Sequence, residues 1–408
     1  MKIALLHYSS PPIVGGVESV LAQHARLMTK AGHEVTILSG RGEVFDERIR
    51  VRVLPRLDSR YADVMEVKEY LDAGKHTPAF EMLRELIRQE LRTELMGCDV
   101  LIAHNVASLN KNLALTAVLH DEYRKPGFPH LILWHHDLAW TTPRYRGELH
   151  AGYPWDLLRT KWEGVTQVVV SELRRGELAE LYGILGQEIK VIPNGVDLTA
   201  FFKFEAQTVE LIDRLNLLQA DPLFLLPVRL TPRKNIELAL NVIAQLRNHY
   251  PGAMLLITGP EGPHNPNNKA YRHALTTLRD TLGLRGAVHF LAELSDEFLP
   301  DAVIADFYRI ADALFLPSRE EGFGIPVIEA AFSKLPVFCA DIPVLRELAD
   351  GDVTYFDPDA HPDEVAKQIK HRLGAEATSR WGRRAKLAFT WDQIYSVHIA
   401  ALLKELMR

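Results

Sequence analysis

Short apolar runs alternate with stretches of helical periodicity along most of the chain. Ile3–Leu6 reads as a strand, and Val17–Lys30 follows with Val17, Val20, Leu21, Ala25 and Met28 at helical spacing. Gly32 closes that helix as a C-terminal glycine does. Val35–Leu38, Val100–Ala103, Leu131–Trp134 and Val168–Val170 are unbroken apolar runs, the mark of parallel strands covered on both faces. Residues 81–95 form an amphipathic helix with Leu83, Leu86, Ile87 and Leu91 on one face, and its mixed charges assign the other face to solvent. A second series begins after Asn194-Gly195. Leu223–Pro227, Ala253–Thr258, Val288–Leu291, Ala313–Leu316 and Val337–Cys339 are its strands, and Ile236–Asn248, Asn268–Leu282, Glu297–Ile310 and Pro326–Lys334 its helices. This alternation predicts an α/β chain of two doubly wound parallel-sheet, Rossmann-like domains facing across a cleft. The boundary falls near 195–205. A last helix, from Trp391 to Arg408, comes after the second sheet is complete.

Composition narrows the possibilities. Of 408 residues, 47% are hydrophobic and 25% charged, ordinary values for a chain with sizeable cores. The net charge of −6 argues against a protein held to nucleic acid by its overall charge. Two cysteines, Cys98 and Cys339, in apolar surroundings, read as buried thiols in a reducing compartment. No apolar run is long enough to span a membrane. The opening MKIALLHYSSPP is too short in its apolar part for a secretory signal. A cytoplasmic protein is expected, with peripheral membrane contact left open.

In doubly wound sheets, ligands bind beyond the carboxyl ends of strands. After the strand Ala313–Leu316 comes Pro317-Ser-Arg-Glu-Glu-Gly-Phe-Gly-Ile-Pro-Val-Ile-Glu329. Gly322 and Gly324 permit close backbone approach, and Pro326 suits the first position of a helix whose N-terminus offers N–H groups to an anion. Glu321 and Glu329 flank those donors and can accept from sugar hydroxyls. After Leu223–Pro227 comes Arg229-Leu-Thr-Pro-Arg-Lys234-Asn, two cations suited to a diphosphate. Gly15-Gly16, opening the first helix, is a weaker phosphate-turn signal without the full G-x-G-x-x-G spacing. Trp134-His135-His136-Asp137 ends a strand of the first domain. Two adjacent histidines without a third ligand make a poor metal site, so none is assigned. Asp350-Gly-Asp352 reads as turn chemistry.

Taken in this order, the residues resemble the retaining nucleotide-sugar glycosyltransferases of the GT-B fold, specifically glycosyltransferase family 4. The stretch E-G-F-G-x-P-x-x-E-A at 321–330 carries the likeness furthest. Gly15-Gly16, Gly32-His-Glu-Val35, His136-Asp137, Val191-Ile-Pro-Asn-Gly-Val-Asp197, Arg229 with Lys234, and Trp391 extend it over nearly the whole chain. The resemblance implies an acceptor-side domain at 1–200 with the helix 391–408 added, and a nucleotide-sugar donor domain at 201–390. It implies that Arg229 and Lys234 hold the donor diphosphate, and that Glu329 takes the ribose hydroxyls. Glu321 with the backbone of Gly322, Phe323 and Gly324 would hold the sugar and distal phosphate. Gly15 and Gly16 would admit the diphosphate, and His136 would contact the donor sugar and assist transfer, with His135 the alternative. The implied reaction moves a hexosyl group from a UDP- or GDP-linked sugar to an acceptor hydroxyl with retention, without metal or other cofactor. The acceptor would be a sugar, a lipid or a small metabolite. A nucleotide-sugar epimerase or hydrolase of the same fold, and a non-catalytic nucleotide-sugar-binding subunit, are the competing readings. Val228 and Lys334 stand where the family often has glycine.

Overall fold

A computed structural model describes residues 1–260, 268–294 and 299–406. Two compact units share the chain: Met1–Gly195 with Trp391–Arg408, and Val196–Thr390.

The first unit holds seven strands in one all-parallel sheet: β1 (Lys2–His7), β2 (Glu34–Ser39), β3 (Arg50–Val53), β4 (Val100–His104), β5 (His130–His135), β6 (Thr166–Val169) and β7 (Ile189–Val191). Their order is β3-β2-β1-β4-β5-β6-β7. Side chains alternate across the pleat, and two cores follow from that. Ala4, Leu6, Leu101, Ala103, Leu131 and Leu133 face helices Ala62–Asp72, Pro78–Glu94 and Leu113–Glu122. Ile3, Leu5, Val100, Ile102, Ile132 and Trp134 face helix Gly16–Lys30 and the C-terminal segment. That segment contributes Trp391, Ile394, Ile399, Leu402 and Leu403 to the second core. It is α-helical at Trp391–Ile394 and Ala400–Glu405, with a π-helical stretch at Tyr395–Ile399 between them. The expected single helix is thus interrupted, and its last two residues lie outside the described ones.

The second unit holds a six-stranded parallel sheet: β8 (Leu223–Leu226), β9 (Met254–Ile257), β10 (Val288–Phe290), β11 (Ala313–Leu316), β12 (Val337–Ala340) and β13 (Thr354–Phe356). Their order is β10-β9-β8-β11-β12-β13. The chain therefore winds outward in both directions from the pair β8 and β11, as it does from β1 and β4 in the first unit. These pairs are the topological switch points, where a doubly wound sheet opens a crevice.

Several expectations need correction. Val170 lies outside β6, and Pro326 is the second residue of the helix Ile325–Phe332. Leu86 is exposed, because the helix Pro78–Glu94 buries Phe80, Leu83, Ile87 and Leu91 at near four-residue spacing instead. Cys98 is half-buried; Cys339 is buried, and burial pushes its thiol up to about 12. Residues 297–298 of the helix expected from Glu297 lie outside the described ones; its described part is Asp301–Ile310. Among the described residues no helix is long and apolar enough to cross a membrane.

Candidate functional site

In the second unit, both chemistry-bearing loops leave the two strands of the switch point. β8 runs into Arg229–Lys234 and β11 into Pro317–Gly324. The loops are tied by a backbone bond from Arg319 N–H to the Arg233 carbonyl at 2.8 Å. Lys234 Nζ then meets Glu321 Oε1 at 2.6 Å, with their side chains only 10% and 8% exposed. A buried pair of this kind is costly unless its geometry is good, and either partner alone would leave an uncompensated charge. Lys234 is thereby held at the strand ends as a preplaced cation. Arg229 lies exposed on the same loop.

The helix Ile325–Phe332 starts at Gly324, with φ +98, and no side chain caps its first N–H groups. A Cβ at Gly324 would also lie 2.6 Å from Leu345 Cδ2, so both conformation and space demand glycine there. Some helices of the protein are capped by side chains, as Asn112 accepts from Leu115 N–H at 3.1 Å and Ser171 from Arg174 N–H at 3.2 Å, whereas others, this one among them, are not. The uncapped end at 325 leaves donors and the positive end of the helix dipole for an anion. Glu329, half-buried on this helix, accepts from Tyr308 Oη at 2.7 Å. Burial, with this bond and the carboxylate charge, pushes the Tyr308 hydroxyl up, so the phenol keeps its proton and donates. The buried hydroxyls of Thr231 and Ser318, one on each loop, have no partner.

In the first unit, β5 ends at His135, whose buried ring bonds Gln167 Oε1 at 2.8 Å within the sheet. His136 is the next residue, 9% exposed at the strand end. Asn105 fixes it: Oδ1 accepts from the His136 N–H at 2.7 Å. The two rings His104 and His136 face each other, Nδ1 to Nε2, at 3.1 Å. His7 donates Nδ1 to the His104 carbonyl at 2.9 Å. Burial is the main cause holding His136 at about 3 and His24 at about 3, with neighbouring imidazoles adding to it at His136. His136 is therefore neutral at physiological pH. It can exchange a hydrogen bond with a ligand but brings no positive charge.

Gly15 begins the helix Gly16–Lys30, which also lacks a side-chain cap. Nothing within 4 Å would obstruct a Cβ at Gly16 or at Gly322. The protein's own packing does not demand glycine at either place. The structure brings Lys234 and Glu321 into contact, and seats Glu329 on the adjoining helix. His136, Gly15 and Gly16 stand in the other unit. Among the described residues no group of three or more His, Cys, Asp or Glu is placed to hold a metal ion. A cavity of about 720 Å³ in the second unit lies at the opposite, amino-terminal strand ends, against Asp312 and Lys334–Pro336.

Comparison with known proteins follows the same division. Residues 14–200 match the model of Glycosyltransferase Family 4, and residues 209–387 that of Glycosyl transferases group 1. The MMP alpha-(1->4)-mannosyltransferase of Mycolicibacterium hassiacum is 26% identical over 100% of this chain and 99% of its own. The mannosylglucosylglycerate synthase of Petrotoga mobilis is 28% identical over 62% of each chain, so this chain spans under two thirds of that relative. A serotype-specific mannosyltransferase of Escherichia coli is 32% identical over 44% of this chain and 21% of its own. Among solved structures, the sucrose-phosphate synthase of Thermosynechococcus elongatus aligns over 100% of this chain and 99% of that one, at 18% identity and a TM-score of 0.39.

The chain is a GT-B glycosyltransferase.

The second matched region of this glycosyltransferase contains the β8/β11 switch point, with the Lys234–Glu321 pair and Glu329. The sequence reading did not reach several residues that shape these sites. Gly259, just after β9, packs so closely under the cationic loop that a Cβ would lie 2.1 Å from the Val228 carbonyl oxygen. Tyr308 belongs to no motif, and Thr231 and Ser318 lie within the two loop stretches without being singled out there. Only the pairing of β8 with β11 reveals what they adjoin.

Proposed function

We propose that this glycosyltransferase moves a hexosyl group from a nucleoside diphosphate sugar, UDP- or GDP-linked, to an acceptor hydroxyl with retention of configuration and without a metal. The observation that carries the reading is the Lys234–Glu321 contact beside an uncapped helix N-terminus at the β8/β11 switch point. A diphosphate is the anion that suits a preplaced cation next to free N–H donors. Lys234 and Arg229 would stabilise the charge that develops on the leaving diphosphate. Glu329 would accept from the ribose hydroxyls, and Glu321 with Gly322, Phe323 and Gly324 would hold the distal phosphate and sugar. The names of three relatives specify mannosyl transfer or a mannosyl product, and mannose is the hexose we assign.

In the transfer, the bond from the anomeric carbon to the diphosphate oxygen breaks on the face where the acceptor oxygen bonds. The acceptor proton passes to the departing diphosphate. No carboxylate nucleophile enters this scheme. His136, neutral, contributes a hydrogen bond to the sugar.

The test is product analysis with GDP-mannose and UDP-glucose, with and without an acceptor panel, for wild type, Lys234→Ala and Glu329→Ala. Turnover that needs an acceptor and falls at least about a hundredfold in both variants, with melting temperatures within a few degrees of wild type, is expected. Turnover without acceptor would assign the epimerase or hydrolase reading instead. Undiminished turnover in both variants would remove the second unit's site from the chemistry.

A further inference from the structure

The strand ends of the first unit carry a charge cluster that donor chemistry does not use. Lys111 lies beyond β4, Arg144 and Tyr145 beyond β5, and Lys68 on the helix Ala62–Asp72. Tyr145 is buried, and its ring centroid lies 5.3 Å from Lys111 Nζ and 4.7 Å from the Arg144 guanidinium carbon. Among the described residues neither cation forms an ion pair with a carboxylate. The two acids of the neighbourhood are already engaged. Glu148 takes Lys68 Nζ at 2.9 Å and Asn110 Nδ2 at 2.7 Å, and Asp72 pairs with Lys68. Three cations thus stand against two carboxylates. Lys111, half-buried, is held below the ordinary lysine range by burial and by the charges of Lys68 and Arg144, only partly offset by Glu148 and Asp72.

A half-buried ammonium whose nearby carboxylates are already paired with another lysine is a destabilising arrangement in the ligand-free protein. So is a buried amide oxygen without a donor. Asn110 is 1% exposed, and its Oδ1 has no partner. Both defects disappear if a ligand brings an anion to Lys111 and Arg144 and a hydroxyl to Asn110. The cluster is also close to His136. Tyr145 adjoins Tyr8, whose Oη donates to the Asn105 carbonyl at 3.3 Å, and Asn105 Oδ1 holds the His136 N–H.

We propose that Lys111 and Arg144, both against the Tyr145 ring, bind an anionic group on the acceptor, a carboxylate or a phosphate, while Asn110 Oδ1 accepts from one of its hydroxyls. Lys68 adds positive field but stays tied to Glu148. The acceptor is thereby assigned to small anionic sugars or polyols. This rests on the transferase reading above, since it names that reaction's second substrate.

The experiment is calorimetric titration with glucose, glucuronate and glucose 6-phosphate of wild type, Lys111→Met, Arg144→Gln and Lys234→Ala. The wild type is expected to bind one charged sugar at least about tenfold more tightly than glucose, and each first-unit variant to lose about tenfold. Lys234→Ala should keep that affinity, which separates this anion site from the one in the second unit. The better of the two charged sugars distinguishes carboxylate from phosphate. Equal affinity for glucose and both charged sugars, or a charge preference that survives Lys111→Met and Arg144→Gln, overturns the assignment. Arg144 is exposed, so Arg144→Gln decides the matter if Lys111→Met lowers the melting temperature. Nucleotide titration of wild type against Glu329→Ala reports on the donor reading separately, and either can fail alone.

Discussion

Glu329 is oriented by a residue far from it in sequence. Tyr308 Oη donates to Oε2 at 2.7 Å, and the tyrosine is itself 2% exposed. The bond restrains the rotation of the carboxylate, so that in the proposed donor site Glu329 would meet a ribose without first losing conformational freedom. Tyr308→Phe removes one hydrogen bond and little packing. It should weaken nucleotide binding by about fivefold, the equivalent of about 1 kcal/mol, with kcat at saturating donor nearly unchanged. Titration calorimetry with the preferred nucleotide, alongside steady-state kinetics, checks this. An unchanged affinity would mean that the helix alone positions Glu329. At this scale Glu321, Glu329 and Lys234 were legible as candidates, because motif spacing carries them. Tyr308 was invisible, since its role exists only once the helix Asp301–Ile310 packs beside the helix Ile325–Phe332.

The elements that position the site depend on close backbone packing as much as on apolar patterning. Gly259 is the clearest case. Its missing Cβ lets the end of β9 lie against the Val228–Arg229 peptide, where any side chain would meet backbone atoms at 2.1 to 2.6 Å. Gly259→Ala must displace the cationic loop. It should cost about 1–3 kcal/mol, read as a lower melting temperature, and should weaken nucleotide binding as well. Wild-type melting and affinity together would show the loop to be freely adjustable. Lys334 adopts φ +57 just past a helix end, a conformation glycine takes at less cost. That explains why its position often holds glycine in the family it resembles. Buried strands were legible from their apolar runs, whereas β3, β7 and β13 were not. These are sheet-edge strands of three or four residues with exposed or half-exposed positions, and a search for apolar runs passes over them. The helix Leu113–Glu122 was missed for the opposite reason: it is buried on nearly every side and has no polar face to reveal its period.

For the molecule as a whole, the sequence foretold two doubly wound sheets because strand–helix alternation is a long-range pattern that survives local ambiguity. It did not foretell the buried histidines of the first unit. His24 has no partner on either ring nitrogen and packs edge-on against Trp134, with ring centroids 4.6 Å apart. Burial holds it at about 3, His136 at about 3 and His135 at about 4, and pushes His104 down as well. An unfolded histidine titrates near 6.5. Between about 6.5 and these lowered values the unfolded chain binds more protons than the folded one. Stability therefore falls as pH drops through that window, at up to about 1.4 kcal/mol per pH unit for each histidine. His24→Phe removes one of them. Its stability relative to wild type, measured by urea denaturation, should rise progressively from pH 6.5 to pH 4.5. A difference independent of pH would show that His24 does not titrate on unfolding in this range.

The central claim is that the second unit binds a nucleoside diphosphate at the β8/β11 switch point. It is tested most directly by thermal melting with millimolar GDP, UDP and ADP in the presence of a chelator, for wild type and Glu329→Ala. Ligand bound to the native state raises Tm by mass action. The account predicts a rise of several degrees with GDP or UDP that is lost in Glu329→Ala. No rise with any nucleotide, or the same rise in the variant, would contradict it.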